Sequence, residues 1–229
     1  MRGSPIEAVL LTNADLDHTL GLLLLREGEK LQVLAPANVQ KSLTDGISIS
    51  PVLASFCGVK WSEPSGEPSP LFLRDGSASG LLCQAFPVQG HSPRFVKRSV
   101  FQSGHVVGYR LIDEKTGGRL VYLPDAAALD EKTVETLRDC DLLLLDGTFW
   151  SEHEMQESNA GDLTASSMGH VPVSGTDGSL RIVAELKTQK KIYVHINNTN
   201  PILLEDSPER AAVMAAGCII GEDGMEFTT

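Results

Sequence analysis

Near its start the chain reads Ala8-Val9-Leu10-Leu11 and then, without a break, Thr12-Asn13-Ala14-Asp15-Leu16-Asp17-His18. The first four residues are typical of a strand that is buried on both faces. The acidic residues and the histidine that follow lie on a turn, where they can converge on a metal ion while the rigid strand fixes their direction. The same turn could instead cap a helix that begins near His18, with Asp15 or Asp17 as the capping residue. The stretch alone leaves both interpretations open.

The pattern recurs along the chain, because other predicted strands and loops also carry histidine or aspartate where they end. These further residues are His91, Asp125, Asp146, His170 and His195. Each has a structural explanation of its own, such as a histidine that bonds a nearby carbonyl or an aspartate that forms a turn. Together they favour a metal site, since strand ends that meet at one edge of a sheet bring their side chains close together. We expect His105 and His153 to lie outside it, with His153 on a solvated acidic face.

Short apolar strands alternate with helical stretches through the rest of the sequence. We predict strands at 31–34, 80–88, 106–112, 119–123, 142–145 and 191–196, and helices at 18–27, 37–43, 130–138, 178–186 and 208–216. Residues 45–79 are rich in Gly, Pro and Ser, so we expect an irregular stretch with at most short strands. The alternation predicts an α/β fold in a single domain over residues 1–229, with layered mixed sheets flanked by helices.

Composition excludes several classes of function. The 229 residues include 19 Lys and Arg against 30 Asp and Glu, and the net charge of −11 opposes binding to nucleic acid or to a membrane surface. No apolar run approaches the roughly 18 residues that span a bilayer, and the N-terminus lacks a secretory signal. The four cysteines form no CxxC pair and suit buried thiols in a reducing compartment, so we expect a cytoplasmic protein. No GxSxG, P-loop or GxGxxG motif indicates another chemistry.

The stretch from Asn13 to His18 resembles the HxHxDH signature of the metallo-β-lactamase superfamily. Asn13 and Asp15 replace the two leading histidines of that signature, whereas Asp17 and His18 match it. Later motifs of the superfamily follow in the same order, at His91, Asp125 and His195, and Met168-Gly169-His170 is similar to an element of its RNase Z-like branch. The resemblance implies a metallo-β-lactamase-like αββα sandwich.

Longer strings carry a closer resemblance, above all Asp146-Gly147-Thr148-Phe149-Trp150 and His195-Ile196-Asn197-Asn198-Thr199-Asn200-Pro201-Ile202-Leu203, with residues 11–18 and 24–28. They are similar to the coenzyme PQQ synthesis protein B family. The resemblance implies a bacterial cytoplasmic role in making pyrroloquinoline quinone (PQQ). It implies a non-haem iron hydroxylase that uses O₂ to oxygenate the tyrosine ring of the Glu–Tyr diacid, a small-molecule intermediate. An alternative within the family is a carrier that moves PQQ or its precursor toward the periplasm.

The ligand set favours iron over a dinuclear zinc hydrolase. Asn13 and Asp15 weaken the first metal site of such a hydrolase, whereas Asp17, His18 and His195 remain as one carboxylate and two histidines. This trio suits Fe(II) with open positions for O₂ and substrate, although Zn binds the same donors.

Other residues receive supporting roles in this hypothesis. Asp15 and Asp125 are further ligands or orient the histidines. His170 or His91 is the proton-transfer group near the ring hydroxyl. The loop after His195 carries three asparagines that either contact the cofactor or pin an irregular loop, namely Asn197, Asn198 and Asn200.

The three classes of function predict different behaviour. An oxygenase binds one Fe per chain and consumes O₂, a hydrolase binds two Zn and cleaves its substrate, and a carrier retains the quinone without turnover. Members of the family begin with further strands and a cysteine-rich zinc-binding stretch, and neither precedes Asn13 here. The resemblance therefore implies an N-terminally incomplete sandwich, whose exposed surface a second copy could cover in a homodimer.

Overall fold

The computed structural model describes residues 4–96 and 104–228. Its strands are β1 (Val9–Leu10), β2 (Leu31–Leu34), β3 (Val59–Ser62), β4 (Ser69–Phe72), β5 (Ala78–Pro87), β6 (Val107–Asp113), β7 (Arg119–Leu123), β8 (Leu142–Asp146), β9 (Lys190–Val194) and β10 (Ile219–Ile220). Its helices are α1 (Leu16–Thr19), α2 (Ala37–Lys41), α3 (Ile49–Ala54), α4 (Glu131–Arg138), α5 (Glu154–Glu157), α6 (Ala165–Met168), α7 (Ser179–Glu185) and α8 (Pro208–Ala215), with 3-10 turns at Leu20–Leu25 and Pro201–Leu203 and a π turn at Ser42–Gly46. Within these two ranges no helix is long and apolar enough to cross a bilayer.

The described strands form two sheets. The smaller sheet has the order β1-β2-β3, and all of its pairs are parallel. The larger sheet has the order β10-β9-β8-β7-β6-β5-β4. The neighbouring pairs from β7 to β10 are parallel, and those from β4 to β7 are antiparallel. The parallel half puts the carboxyl ends of β7, β8 and β9 at one edge, where the loops that follow them lie side by side.

Helices cover the outer face of each sheet, so the layers are helix, sheet, sheet and helix. Val33 packs with Leu43 and Leu53 in a core between the smaller sheet and the helices α2 and α3. A larger core joins Leu143 and Tyr193 of the larger sheet to helices α4, α7 and α8. This arrangement confirms the α/β sandwich that the sequence predicts.

Contacts between the two sheets fix where the turn after β1 lies. Tyr109 of β6 is almost fully buried, and its hydroxyl donates to the carbonyl oxygen of Leu11 at 2.9 Å. The backbone N–H of Val107 donates to the carbonyl oxygen of Thr12, also at 2.9 Å. Leu10 packs beside Tyr109 in a small apolar cluster between the sheets. The end of β1 is therefore held against β6, and the residues from Asn13 onward emerge at the edge of the larger sheet.

Several predicted elements are confirmed. Strands β2 and β7 have the predicted bounds. Asp130 caps α4, because its Oδ1 accepts the backbone N–H of Thr133 at 2.8 Å. Ser207 caps α8 in the same way by accepting the N–H of Arg210 at 3.0 Å.

Three predictions were wrong in detail. The helix expected over 18–27 is α1, which begins at Leu16, followed by a 3-10 turn. The irregular stretch 45–79 contains α3, which follows a left-handed Ser48 at φ 58° and buries Leu53 against the smaller sheet. The strand expected to reach residue 196 ends at Val194, because His195 adopts φ 56° and turns the chain.

Candidate metal centre

Loops from four parts of the chain meet at the edge where β7, β8 and β9 end. Asp17 and His18 lie in α1, directly after the turn that follows β1. Asp125 follows β7, and His195 follows β9. His170 follows α6 by two residues and lies against the last residue of β8. The structure thus brings together side chains that are more than 100 residues apart in sequence.

One group of donor atoms has the geometry of a metal site. The Nε2 atoms of His18 and His195 are 3.0 Å apart, and Asp17 Oδ2 lies 3.1 Å from His195 Nε2 and 3.9 Å from His18 Nε2. Asp125 Oδ2 lies 2.9 Å from His18 Nε2. Ligands on a tetrahedral ion with bonds of about 2.1 Å are separated by about 3.4 Å. The three residues Asp17, His18 and His195 therefore fit a divalent metal, with Asp125 beside them.

A second group consists of Asp125, His170 and His195. The Nδ1 atoms of His170 and His195 lie 3.2 Å and 3.9 Å from Asp125 Oδ1. These nitrogens already have other partners, since His170 Nδ1 lies 2.8 Å from Asp146 Oδ2 and His195 Nδ1 lies 2.7 Å from the Thr148 hydroxyl. The first group is the better candidate for the main site, because its Nε2 atoms face each other and Asp17.

Thr148 connects the histidines to the buried end of β8. Its hydroxyl lies 2.7 Å from Asp146 Oδ1 and 2.7 Å from His195 Nδ1. A hydroxyl has one hydrogen, and the fully buried carboxylate of Asp146 is its strongest acceptor. We therefore assign the Thr148 hydroxyl as donor to Asp146 and as acceptor from the Nδ1–H of His195. That tautomer leaves a lone pair on His195 Nε2, as metal ligation requires.

Asn13 orients a carboxylate. Its carboxamide Nδ2 donates a hydrogen bond to Asp125 Oδ2, and its Oδ1 accepts the backbone N–H of Asp15 at 2.9 Å. The side chain is buried, so these bonds fix the orientation of Asp125 toward His18. Where the superfamily signature has its first histidine, this chain has a hydrogen-bond donor to a neighbouring acid.

Asp15 occupies the N-cap position of α1, but its side chain makes no capping hydrogen bond there. Its carboxyl lines the cavity beside the first group of donors. Burial, together with the negative charges of Asp125 and Asp17, raises the pKa of Asp15. When His195 is protonated on both ring nitrogens, its Nε2–H donates to Asp17 Oδ2, and this hydrogen bond lowers the pKa of Asp17 to about 2. Asp17 is therefore the more readily ionised of the two.

The histidines are surrounded by carboxylates. Burial by itself disfavours the charged form of His18, but the hydrogen bond and charge of Asp125 outweigh it and raise the pKa of His18. Burial opposes the charged forms of His170 and His195 as well, yet Asp146 raises the pKa of His170 and Asp17 raises that of His195. Such a concentration of negative charge around imidazoles is what a bound cation would compensate.

A cavity of about 400 Å³ lies beside the first donor group and is lined by two of its members, Asp17 and His18. Its described lining also includes both predicted proton-transfer histidines, His91 and His170, together with Arg94 and Met168. The predicted proton-transfer candidates thus both face the space in which a substrate would lie. His105 is not part of this described lining, and burial lowers its pKa.

The asparagines after His195 stabilise their own loop. The Asn200 side chain is buried, donates to the Gly147 carbonyl oxygen at 2.9 Å and accepts the N–H of Ile202 at 3.0 Å. Asn197 donates to Thr199 Oγ1 at 2.6 Å, and Asn198 is exposed. The described lining of the cavity contains none of the three asparagines, so a direct contact with a cofactor stays a prediction. The hydrogen bonds of Asn197 and Asn200 support the alternative, in which these side chains hold the loop in place.

Sequence reasoning missed two contributors to the site. Thr148 is read from the sequence only as part of an Asp-Gly-Thr turn, and Arg94 follows a proline in a loop without any motif. The sequence gives one indication of the role of Thr148. Its hydroxyl comes two residues after Asp146, which ends a strand, and at that spacing it can hydrogen-bond the Asp146 carboxylate. No neighbouring residue or motif indicates a functional role for Arg94, because its position on the cavity wall depends on how the loop packs in the folded protein.

Comparison with known proteins agrees with the geometry. A family model described as a β-lactamase superfamily domain matches residues 1–196. A diphosphatase of the PhnP family, 21% identical, superposes with a TM-score of 0.62 over 96% of this chain and 69% of that one, and this shows the fold alone. With the sheet sandwich and the donor group at the strand ends, these matches define a domain of the metallo-β-lactamase fold.

Two other proteins show the family. Coenzyme PQQ synthesis protein B from Pseudomonas putida is 37% identical over 229 residues, which cover 99% of this chain and 75% of that protein. The crystal structure of Zn²⁺-bound PqqB from Methylobacterium extorquens is 33% identical and superposes with a TM-score of 0.86 over 98% of this chain and 74% of that one. The chain belongs to the coenzyme PQQ synthesis protein B family. Membership and fold together support a metal-dependent enzyme in PQQ synthesis.

Proposed function

We propose that the protein binds one Fe(II) through Asp17, His18 and His195 and uses O₂ to hydroxylate the tyrosine ring of the Glu–Tyr diacid during PQQ synthesis. The observation that carries this proposal is the first donor group, in which two imidazole nitrogens and one carboxylate oxygen lie within 3.9 Å of one another beside an open cavity. Two histidines and one carboxylate with open positions are typical of non-haem Fe(II) oxygenases.

The metal, when bound, supplies O₂ activation and a positive charge that favours the ionised ring hydroxyl of the substrate. The protein supplies a place for the proton. Asp146 holds Nδ1 of His170 at 2.8 Å, which leaves Nε2 as the ring nitrogen available to the cavity. Because Asp146 and Asp125 outweigh burial and raise the pKa of His170, its ring retains a proton taken from the ring hydroxyl. His91 is the other lining histidine with a position for this role.

The electron balance determines how the reaction is assayed. Hydroxylation of a phenol to a catechol takes one oxygen atom from O₂ and releases the other as water, with two electrons and two protons from a reductant. Oxidation of the phenol through to an ortho-quinone by one O₂ also releases water, and it needs no added reductant. The assay therefore measures O₂ uptake both with and without ascorbate.

The experiment begins with protein that is purified anaerobically and loaded with Fe(II). We expect one tightly bound Fe per chain by elemental analysis and O₂ uptake that depends on the Glu–Tyr diacid. His195→Ala should lose both, whereas His153→Ala serves as a matched control, since His153 is exposed and bonds Gln156. Full iron binding and full activity in His195→Ala would contradict the proposal.

A second candidate function is metal-dependent hydrolysis. The observation that favours it is the second donor group around Asp125, which could complete a dinuclear site beside the first one. A hydrolase would bind two zinc ions per chain and would cleave an ester or phosphodiester without O₂. The same elemental analysis therefore separates the two candidates by stoichiometry.

A further inference from the structure

The cavity over the donor group is strongly acidic. Asp15, Asp17 and Asp125 all line it. Among the described lining residues, the one lysine or arginine is Arg94. A bound divalent metal would neutralise the negative charge of the carboxylates around the histidines. In the part of the cavity near Arg94, the guanidinium supplies the positive charge. A carboxylate-bearing ligand would need such a cation in order to enter a pocket with this many acids.

Arg94 is held in position by its neighbours in the chain. The N–H of Val96 donates to the carbonyl oxygen of Pro93 at 2.9 Å, which closes a tight turn around Arg94. Pro93 is buried, and Phe95 packs against the core of the smaller sheet. The turn is therefore anchored on both sides of the arginine, so the base of its side chain has a fixed place on the cavity wall.

The guanidinium of Arg94 has no partner within the described ranges. It makes no hydrogen bond and no ion pair there, although several other arginines of the chain are paired with acids, such as Arg74 with Glu7 and Arg210 with Glu222. An exposed cation that lines a cavity and has no partner among the described residues can bind an anion from solution without first breaking a bond to one of them. The planar guanidinium fork also matches the two oxygens of a carboxylate.

We propose that Arg94 is a substrate-positioning residue that binds a carboxylate of a phenolic carboxylic acid and so directs the phenol ring toward Asp17, His18 and His195. This inference rests on the proposed function, because the Glu–Tyr diacid is a substrate of that chemical class. The arginine binds the acid end of the substrate, and the hydroxyl end reaches the metal. Arg94 thereby selects phenols with a carboxylate over neutral phenols.

The test measures binding without turnover. Protein loaded with Zn²⁺, which supports no redox chemistry, is titrated by calorimetry with 3-(4-hydroxyphenyl)propionate and, separately, with the neutral 3-(4-hydroxyphenyl)propionamide. We expect the wild type to bind the acid about tenfold more tightly than the amide, because a charge-assisted pair is lost with the amide. In Arg94→Gln this preference should disappear while the Kd of the amide stays unchanged, and Arg94→Lys should keep part of it.

Arg181→Gln is the matched control, because Arg181 is an exposed arginine that lines a different cavity. It should keep the preference of the wild type. Equal binding of acid and amide by the wild type, no binding of either ligand, or a preference that survives in Arg94→Gln would each overturn the inference. Unchanged thermal unfolding of Arg94→Gln shows that any loss is not a folding defect.

The outcome is separable from that of the proposed function. If the acid preference depends on Arg94 but Fe-loaded protein consumes no O₂, the hydroxylase proposal fails and the carboxylate site stands. If O₂ uptake occurs and Arg94→Gln leaves KM for the Glu–Tyr diacid unchanged, the role of Arg94 fails and the hydroxylase stands. A positioning role predicts a rise of about tenfold in KM, with a smaller change in kcat.

Discussion

Replacing Thr148 by valine tests how the protein prepares His195 for metal binding. Valine has nearly the same shape, so packing at this buried position is retained while the hydroxyl is removed. The change deletes the contacts of 2.7 Å with Asp146 Oδ1 and 2.7 Å with His195 Nδ1. Asp146 keeps the backbone N–H donors of Thr148 and Ala126 at 3.0 Å and 3.1 Å, so the imidazole of His195 is the group most affected.

The expected magnitude follows from those contacts. Leaving the Nδ1–H of His195 without its acceptor costs about 1–3 kcal/mol in free energy of unfolding. Loss of a group that orients a ligating histidine lowers metal affinity by about 10–100-fold, or about 1.4–2.7 kcal/mol. Thr148→Ser restores a hydroxyl at the same place and should recover most of both losses.

Competition with a chelator measures the metal affinity of the two variants, and urea unfolding of the metal-free protein measures their stability. Nitrogen NMR of the Zn²⁺-loaded wild type should show the proton of His195 on Nδ1. The reasoning is refuted if Thr148→Val binds metal as tightly as Thr148→Ser. It is also refuted if the wild type carries that proton on Nε2.

Three further predictions concern other contacts. Asn13→Ala should lower metal affinity about tenfold, because Asp125 loses the hydrogen-bond donor that orients it. An unchanged affinity in chelator competition would contradict this prediction. Metal affinity should fall steeply below neutral pH, because His18 and His195 have raised pKa values and both must lose a proton in order to bind the metal. Two protons give a fall of up to about 100-fold per pH unit. A metal affinity that stays constant down to pH 6 would argue against these ligands. Tyr109→Phe should destabilise the protein by about 1–3 kcal/mol in urea unfolding, and no change would show that its bond to Leu11 does not join the sheets.

Local patterns predicted much of the fold. The apolar run Leu31–Leu34 and the capping residues Asp130 and Ser207 are visible in the sequence because a strand or a helix start depends on neighbouring residues. Helix α3 was missed because its sequence contains a proline and lies within a stretch rich in turn residues, and burial of Leu53 against the smaller sheet decides its conformation. Packing across the fold, which no short window contains, outweighs propensity there.

For the site, the sequence indicated the residue types but not their roles. Asp15 and Asp17 both follow β1, and only the geometry of α1 points Asp17 toward His195 while Asp15 stays beside the donor group. The bond from Asn13 to Asp125 joins residues 112 positions apart, so no local pattern could reveal it. The partners of Thr148 likewise come from separate loops that meet only in the folded protein.

Oxygen consumption by Fe-loaded protein tests the central claim most directly. The measurement uses anaerobically reconstituted protein, the Glu–Tyr diacid and an oxygen electrode, with and without ascorbate and with Zn-loaded protein as the blank. We predict one Fe per chain and O₂ uptake that starts only when the diacid is added and that Asp17→Ala abolishes. Stoichiometric iron with no uptake upon diacid addition, or uptake that is equal in the Zn-loaded blank, would contradict the account.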